Sequence, residues 1–339
     1  MTSSSLRDRL GAVDEPRPPA DSAGITWRPA THDDVRAVVD FYGALAAADH
    51  PEWVETLEEV AEEFAHPWVD LKRDTLIGES ADGFVAFGHV LAPPDPETIV
   101  RSILFGGVHP EHRGRGLGRQ LLAWQRQRAR QQLAGSDEAM PGWIMAYTEE
   151  RAPDASRLFE RAGMPLVRWF SQLRRDLTEP IPDLEVPEGL RLAVPRDEDR
   201  DAVREAKNDA FRDHWGSQPT TAEQWESGWN LPTRAPELSL LAWDGDRVIG
   251  FVTTEVNPDD FARQGYVGGY IGLVGVVRDW RRRGVAPVLL AEVMRAARAA
   301  GHERIALDVD SENPSGALGL YTGMGFTATS RSVAHVEEV

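Results

Sequence analysis

The sequence predicts an α+β protein made of two tandem halves, each built on a mixed sheet, and three observations carry that expectation. First, 339 residues suffice for two domains of roughly 150 residues, each burying a core of its own. Second, three segments recur in the same order, about 160 to 170 residues apart, which marks an internal duplication. Third, each half passes through short β-branched runs, amphipathic stretches and one Gly/Arg turn in the same succession.

From the N-terminus, residues 1–24 are rich in Ser, Pro, Asp and Arg and lack the apolar core of a secretory signal, so a disordered tail is expected. Trp27 to Asp34 reads as a short strand and an acidic helix start, and the alternating stretch to Ala47 as an amphipathic helix. The pattern returns from Leu190 to Glu198, with its helix reaching Phe211. In the second half, strands are expected over Leu240–Trp243, Val248–Val256, Tyr266–Val277 and Arg304–Val309. These runs are short and β-branched, and Asp244-Gly-Asp246 reads as a hairpin turn. Helices are expected over Arg119–Gln132 and Pro287–Ala300, with Pro287 in the first turn, where a missing N–H costs nothing. The Pro-rich acidic stretch 179–189 reads as a linker. The expected domains are therefore 25–178 and 190–339.

Composition narrows the function classes. With 37 Lys and Arg against 55 Asp and Glu, the net charge is -18, which argues against nucleic acid or an anionic membrane as partner. No stretch approaches the ~18 uninterrupted apolar residues of a membrane span, and a cytoplasmic location is expected. The absence of cysteine excludes disulfides, thiolate metal sites and cysteine nucleophiles. The nine histidines show no metal-ligand spacing.

The sharpest local signal is the turn Arg113-Gly-Arg-Gly-Leu-Gly118, between a strand ending near Val108 and a helix. It is repeated as Arg281-Arg-Arg-Gly-Val-Ala286, after a Val-rich strand that contains Val274 and Val276. A strand-to-helix turn of small residues lets backbone N–H groups close on phosphate oxygens, and the helix N-terminus adds about half a positive charge. The P-loop is excluded because the turn has no Lys, and the G-x-G-x-x-G dinucleotide pattern is absent.

The arrangement Arg-x-x-Gly-x-Gly/Ala between strand and helix resembles the acetyl-CoA pyrophosphate loop of the GCN5-related N-acetyltransferase (GNAT) superfamily. Asn313, Leu320-Tyr321 and Gly325-Phe326 fall where that family has its later landmarks, and the resemblance covers residues 25–339. It implies tandem GNAT domains, each a mixed, mostly antiparallel central sheet flanked by helices. It further implies acetyl-CoA as cosubstrate and no metal. Candidate cofactor contacts are Val108, Arg113, Gly114, Arg115, Gly116, Leu117 and Gly118 in the first half. In the second they are Val274, Val276, Arg281, Arg282, Arg283, Gly284, Val285, Ala286 and Asn313.

The halves differ where chemistry is expected. In the family mechanism an amine attacks the thioester, and a Tyr hydroxyl protonates the departing thiolate. Tyr321 fills that place in the second half, whereas Phe159 and Arg151 stand where the second half has Tyr321 and Asn313. The resemblance thus implies a catalytic second half and a CoA-binding, catalytically degenerate first half. For the general base the candidates are Glu255, which ends one central strand, and Asp308; His214 and Glu223 lie in the segment that shapes the acceptor site. Asn313-Pro-Ser also reads as a helix N-cap. The expected acceptor is a small-molecule primary amine, such as a cysteinyl amino-sugar, an antibiotic, a polyamine or an amino acid. A peptide or protein N-terminus, and a non-catalytic CoA-binding regulator, are the alternatives. A monomer or homodimer is expected.

Overall fold

A computed structural model describes residues 4–21, 24–49, 55–313 and 316–339. The first half runs through α1 (Leu6–Leu10), β1 (Thr26–Arg28), α2 (Val35–Asp49), α3 (Leu57–Ala65), α4 (Leu71–Asp74), β2 (Thr75–Ser80), β3 (Gly83–Leu91) and β4 (Val100–Val108). It continues with α5 (Leu117–Ala134), β5 (Gly142–Glu149), α6 (Pro153–Arg161) and β6 (Leu166–Asp176). The second half follows with β7 (Leu190–Ala193), α7 (Arg200–Ala210), α8 (Ala222–Trp229), β8 (Leu240–Asp244), β9 (Arg247–Glu255) and α9 (Phe261–Gln264). Its last elements are β10 (Gly268–Val276), α10 (Val285–Ala299), β11 (Arg304–Asp310), α11 (Ala317–Gly323) and β12 (Thr327–Glu338).

Packing does not follow the expected boundaries at 178 and 190. One compact unit comprises Met1–Arg168 with Ser332–Val339, and the other comprises Trp169–Arg331. The final strand of each half therefore runs into the unit of the other. In unit 1 the strands lie in the order β1-β2-β3-β4-β5-β12, and in unit 2 in the order β7-β8-β9-β10-β11-β6. The two orders are equivalent. Every neighbouring pair is antiparallel except β4 with β5 and β10 with β11. The mixed, mostly antiparallel sheet is thus found in both.

Alternation along the strands decides which residues enter which core. In unit 1, Leu76 and Ala86 join Leu121, Leu133 and Ile144 on the α5 side, while their neighbours Ile77 and Phe87 pack with Phe41 and Phe64 on the α2/α3 side. Unit 2 builds its core from Phe251, Leu289, Leu290, Ile305 and Leu307, together with Leu173 of the incoming β6.

The tail expectation fails at residues 5–14. Ser5 and Asp8 form a capping box for α1, and Leu6 is wholly buried in the α5-side core. The Leu6 N–H donates to the Glu138 carbonyl at 2.8 Å, and Gln127 Nε2 donates to the Asp14 carbonyl at 2.9 Å. A single leucine in a polar stretch is too weak a signal in sequence, yet its burial is worth about 1.5–3 kcal/mol, enough to fix a short capped helix.

Residues 332–339 complete unit 1. They give β5 its second partner strand and bring Glu337 to Arg126 at 2.6 Å and to Arg130. Deleting Ser332–Val339 is therefore expected to lower the unfolding temperature of unit 1 while unit 2 keeps its own transition. Scanning calorimetry of the truncated chain checks this, and an unchanged profile would count against the placement of these residues.

Candidate active site

In unit 2 the parallel strands β10 and β11 pair over only Gly268–Tyr270 and Arg304–Ala306. Beyond Tyr270 they part. β10 stays paired with β9, with a bulge between Ile271 and Leu273, while β11 continues against β6 from Leu307 to Asp310. Val274 and Val276 lie on β10 past the parting and are half-buried. Gly272 sits in the bulge, where a Cβ would come within 2.6 Å of the Glu255 Oε1. The carboxylate of Glu255 therefore lies over Gly272, where a Cβ would push it aside.

β10 leads into the Arg281–Ala286 turn. Arg282 has φ +61° and Gly284 φ +79°, and in unit 1 Gly114 and Gly116 take φ +77° and +84°. The same two left-handed positions recur, so the loop geometry is built twice. None of the backbone N–H groups of residues 114–118 or 282–286 donates to another described residue. Unpaired N–H groups at the start of a helix are the type of feature that can hold an anion. Pro287 is the third residue of α10, still inside the first turn.

The two arginines that open these turns are bonded within the protein. Arg281 Nε donates to the Val276 carbonyl at 3.4 Å and its Nη2 to the Ala210 carbonyl at 2.7 Å. Arg113 Nε donates to the Val108 carbonyl at 3.2 Å, and its guanidinium pairs with Asp49 at 2.8 and 2.6 Å. Both brace the turn against the preceding strand and against the first long helix or its end. Arg282, Arg283 and Arg115 of the same turns are exposed; Arg115 Nη2 donates to the Glu111 carbonyl at 3.3 Å, and Arg283 stacks on Trp280 at 4.7 Å.

Tyr321 lies on α11, which packs on β11, and is buried with its ring edge-on to Phe326 at 5.9 Å. Burial pushes the phenol up to about 12. Its hydroxyl makes no hydrogen bond to a described residue. Glu255 is the cross-strand neighbour of Tyr270, whose hydroxyl donates to Asp308 Oδ2 at 3.1 Å. Burial first, then the charges of Asp308 and Glu255, hold the Tyr270 phenol well above its ordinary range. The two carboxylates proposed as alternatives from sequence thus stand on either side of one tyrosine. Sequence reasoning missed Tyr270, because its register against Glu255 exists only once β9 and β10 pair.

Other expected residues are placed differently. Asn313 does not cap α11: its N–H donates to the Asp310 carbonyl at 3.1 Å, and the cap is Gly316 at φ +75°. The Pro314-Ser315 part of that reading lies outside the described residues. His214 folds back on Trp215 and Phe211, and Glu223 is exposed in the first turn of α8. No trio of His, Cys, Asp or Glu among the described residues is set to hold a metal ion.

Unit 1 repeats the scaffold with different side chains. β4 and β5 pair over Val100–Leu104 and Gly142–Ala146 and then part. Phe159 occupies the Tyr321 position. Counting from the matched pairs Ala86/Val108 and Gly250/Val276, Leu91 occupies the Glu255 position.

Comparison with known proteins agrees with this geometry. A model described as "Acetyltransferase (GNAT) family" matches residues 200–326, and one described as "Acetyltransferase (GNAT) domain" matches 72–163. Mycothiol acetyltransferase of Thermobispora bispora is 31% identical over 253 residues, covering 74% of this chain and 78% of the relative. That of a Nocardioides species is 31% identical over 230 residues, covering 65% and 75%. Among solved structures, a GCN5-related N-acetyltransferase from Sphaerobacter thermophilus superposes with TM-score 0.71 at 28% identity, over 94% of this chain and 97% of that one. A tandem GNAT protein from the clavulanic acid biosynthesis pathway shares the fold, with TM-score 0.66 at 16% identity over 93% and 98%. With two matched domains, two equivalent strand orders and the pyrophosphate-type turn built twice, this chain belongs to the GNAT acetyltransferase family as a tandem member.

Proposed function

We propose that unit 2 transfers the acetyl group of acetyl-CoA to the primary amine of a small molecule by direct attack on the thioester, while unit 1 binds CoA without carrying out this reaction. The observation that carries this reading is the difference between Tyr321 and Phe159. At matched places on matched helices, only unit 2 has a phenol, and that phenol is buried, protonated and free of a partner among the described residues. The turn 281–286 receives the pyrophosphate on its N–H groups, and where β10 and β11 have parted the backbone along Val274 and Val276, whose carbonyl Arg281 braces, lines the way for the amides of the pantetheine arm.

In the reaction, Glu255 accepts a proton from the incoming ammonium and leaves a neutral amine. The amine attacks the thioester carbonyl, the C–S bond breaks as Tyr321 gives its proton to the departing thiolate, and the extra proton on the new amide nitrogen passes to the Tyr321 phenolate. Tyr270 and Asp308 border this place and bias it toward a cationic acceptor. The mycothiol acetyltransferase relatives support an amine-bearing small molecule over a peptide N-terminus.

Replacing Tyr321 with Phe is expected to lower kcat by about 10²–10⁴-fold, the worth of a positioned general acid, with affinity for acetyl-CoA nearly unchanged. Unit 1 already packs Phe there, so a melting temperature near that of the parent separates lost chemistry from lost fold. Unaltered turnover would remove the assignment.

The active form of Tyr321 is the neutral phenol, and its value of about 12 lies above the ordinary tyrosine value of about 10. The wild-type kcat profile is therefore expected to stay level as pH passes 10 and to fall only as pH approaches 12. A falling limb near pH 9 would contradict the buried-acid reading.

Arg282 holds a left-handed conformation that costs a non-glycine residue about 1–2 kcal/mol, against roughly 0.5–1 kcal/mol of extra chain entropy for glycine. Arg282→Gly should therefore stabilise unit 2 by roughly 0.5–1 kcal/mol, yet weaken CoA binding by about tenfold through loss of a charge-assisted contact. Chemical denaturation and calorimetric titration measure the two effects, and unweakened CoA binding would show that Arg282 is not a phosphate ligand.

A further inference from the structure

Unit 1 lacks the residues that serve unit 2, but it holds a different pair. On α6, the Ser156 hydroxyl lies 2.8 Å from Nε2 of His335 on β12, and Nδ1 of the same ring lies 3.0 Å from the Met164 carbonyl. A carbonyl oxygen only accepts, so in the neutral ring Nδ1 carries the proton and Nε2 presents a lone pair. Ser156 therefore donates to His335. A hydroxyl bonded to an imidazole whose other nitrogen is anchored is the relation by which a Ser-His pair activates a hydroxyl for acyl transfer. The imidazole is fully buried, whereas Ser156 is part-exposed.

The position of this pair also matters. His335 is the cross-strand partner of Ala146, the residue at which β5 parts from β4. Ser156 precedes Phe159 by three residues and so shares its helix face, and both touch the His335 ring, Phe159 at a centroid distance of 5.2 Å. Unit 2 has no such pair: Leu318 matches Ser156 in the repeat, and Gln172, opposite Asp308, matches His335.

We propose that Ser156 is a nucleophile that takes an acyl group from an acyl-CoA thioester bound in unit 1, with His335 as its general base. The proposal rests on the reading that unit 1 binds CoA. The Ser156 Oγ forms a bond to the thioester carbonyl carbon as the C–S bond breaks. The hydroxyl proton passes to His335 Nε2 and from there to the departing CoA thiolate. The products are an oxoester on Ser156 and free CoA thiol, and no other reactant is consumed. Met164 holds the Nδ1–H throughout and steadies the imidazolium.

The test incubates the full chain with acetyl-CoA and, separately, with p-nitrophenyl acetate, quenches in acid, and locates bound acetyl by intact mass and peptide mapping. One acetyl per chain is expected on Ser156 with either donor. Ser156→Ala is expected to lose that label, and Ser156→Cys to retain it as a thioester released by neutral hydroxylamine, which guards against loss of fold. No label at Ser156 with either donor, or acetyl confined to Lys72 and Lys207, would overturn the proposal. Calorimetric titration with CoA separates the two readings: two CoA sites without a Ser156 label defeat the nucleophile alone. One site, with label from p-nitrophenyl acetate only, defeats acyl-CoA as donor and CoA binding by unit 1 together.

Discussion

In both units a parallel pair of strands is allowed to close for only a few residues before the two chains diverge. An unpaired backbone group costs free energy wherever water cannot reach it, so strands part only where something else satisfies them. Here the outer strand of each fork is kept in place from its far side: β11 by β6 from Leu307 to Asp310, and β5 by β12 from Ala146 to Glu149. The inner strand is kept by its antiparallel partner, β9 or β3. The opening is thus held between two paired edges. The exchange of terminal strands between the halves supplies the far-side partner in each case.

The turn beyond each fork solves a charge problem. The chain is strongly acidic, and an anionic cosubstrate has to be held against that background. The opening arginines are spent internally, on strand carbonyls and on Asp49 or the end of α7. Beside them lies a set of N–H groups in a turn with two left-handed residues, at the positive end of a helix. Backbone donors need no side-chain ordering and cannot be neutralised by a neighbouring carboxylate. The cost appears at Arg282, which keeps a left-handed backbone where unit 1 uses Gly114.

Duplication left two copies of this scaffold and divergence gave them different side chains. Unit 2 keeps Tyr321 with Glu255, Tyr270 and Asp308. Unit 1 has Phe159 and Leu91 at the positions that match Tyr321 and Glu255, and beside Phe159 it has buried a histidine whose two nitrogens are both engaged. A buried imidazole with fixed partners is set by packing, and here the packing comes from a strand that begins in the other unit.

The family, the duplication, the Gly/Arg turns and the contrast between Tyr321 and Phe159 were legible in the sequence, because each depends on residues close together in the chain. Periodicity, a turn and a helix start are local. Strand positions in the second half were within a few residues of those observed, since alternation reports burial directly. Tertiary structure alone decided the rest. Leu6 is core because Gly142 and α5 make a slot for it. Arg113 and Arg281 bond to Asp49 and to the Ala210 carbonyl because the fold brings those groups beside them. Glu255 meets Gly272 through a bulge, and Ser156 meets His335 across 179 residues of sequence. Register between distant strands and the exchange of their ends carry no local signature, so side chains that meet only through them cannot be paired from sequence.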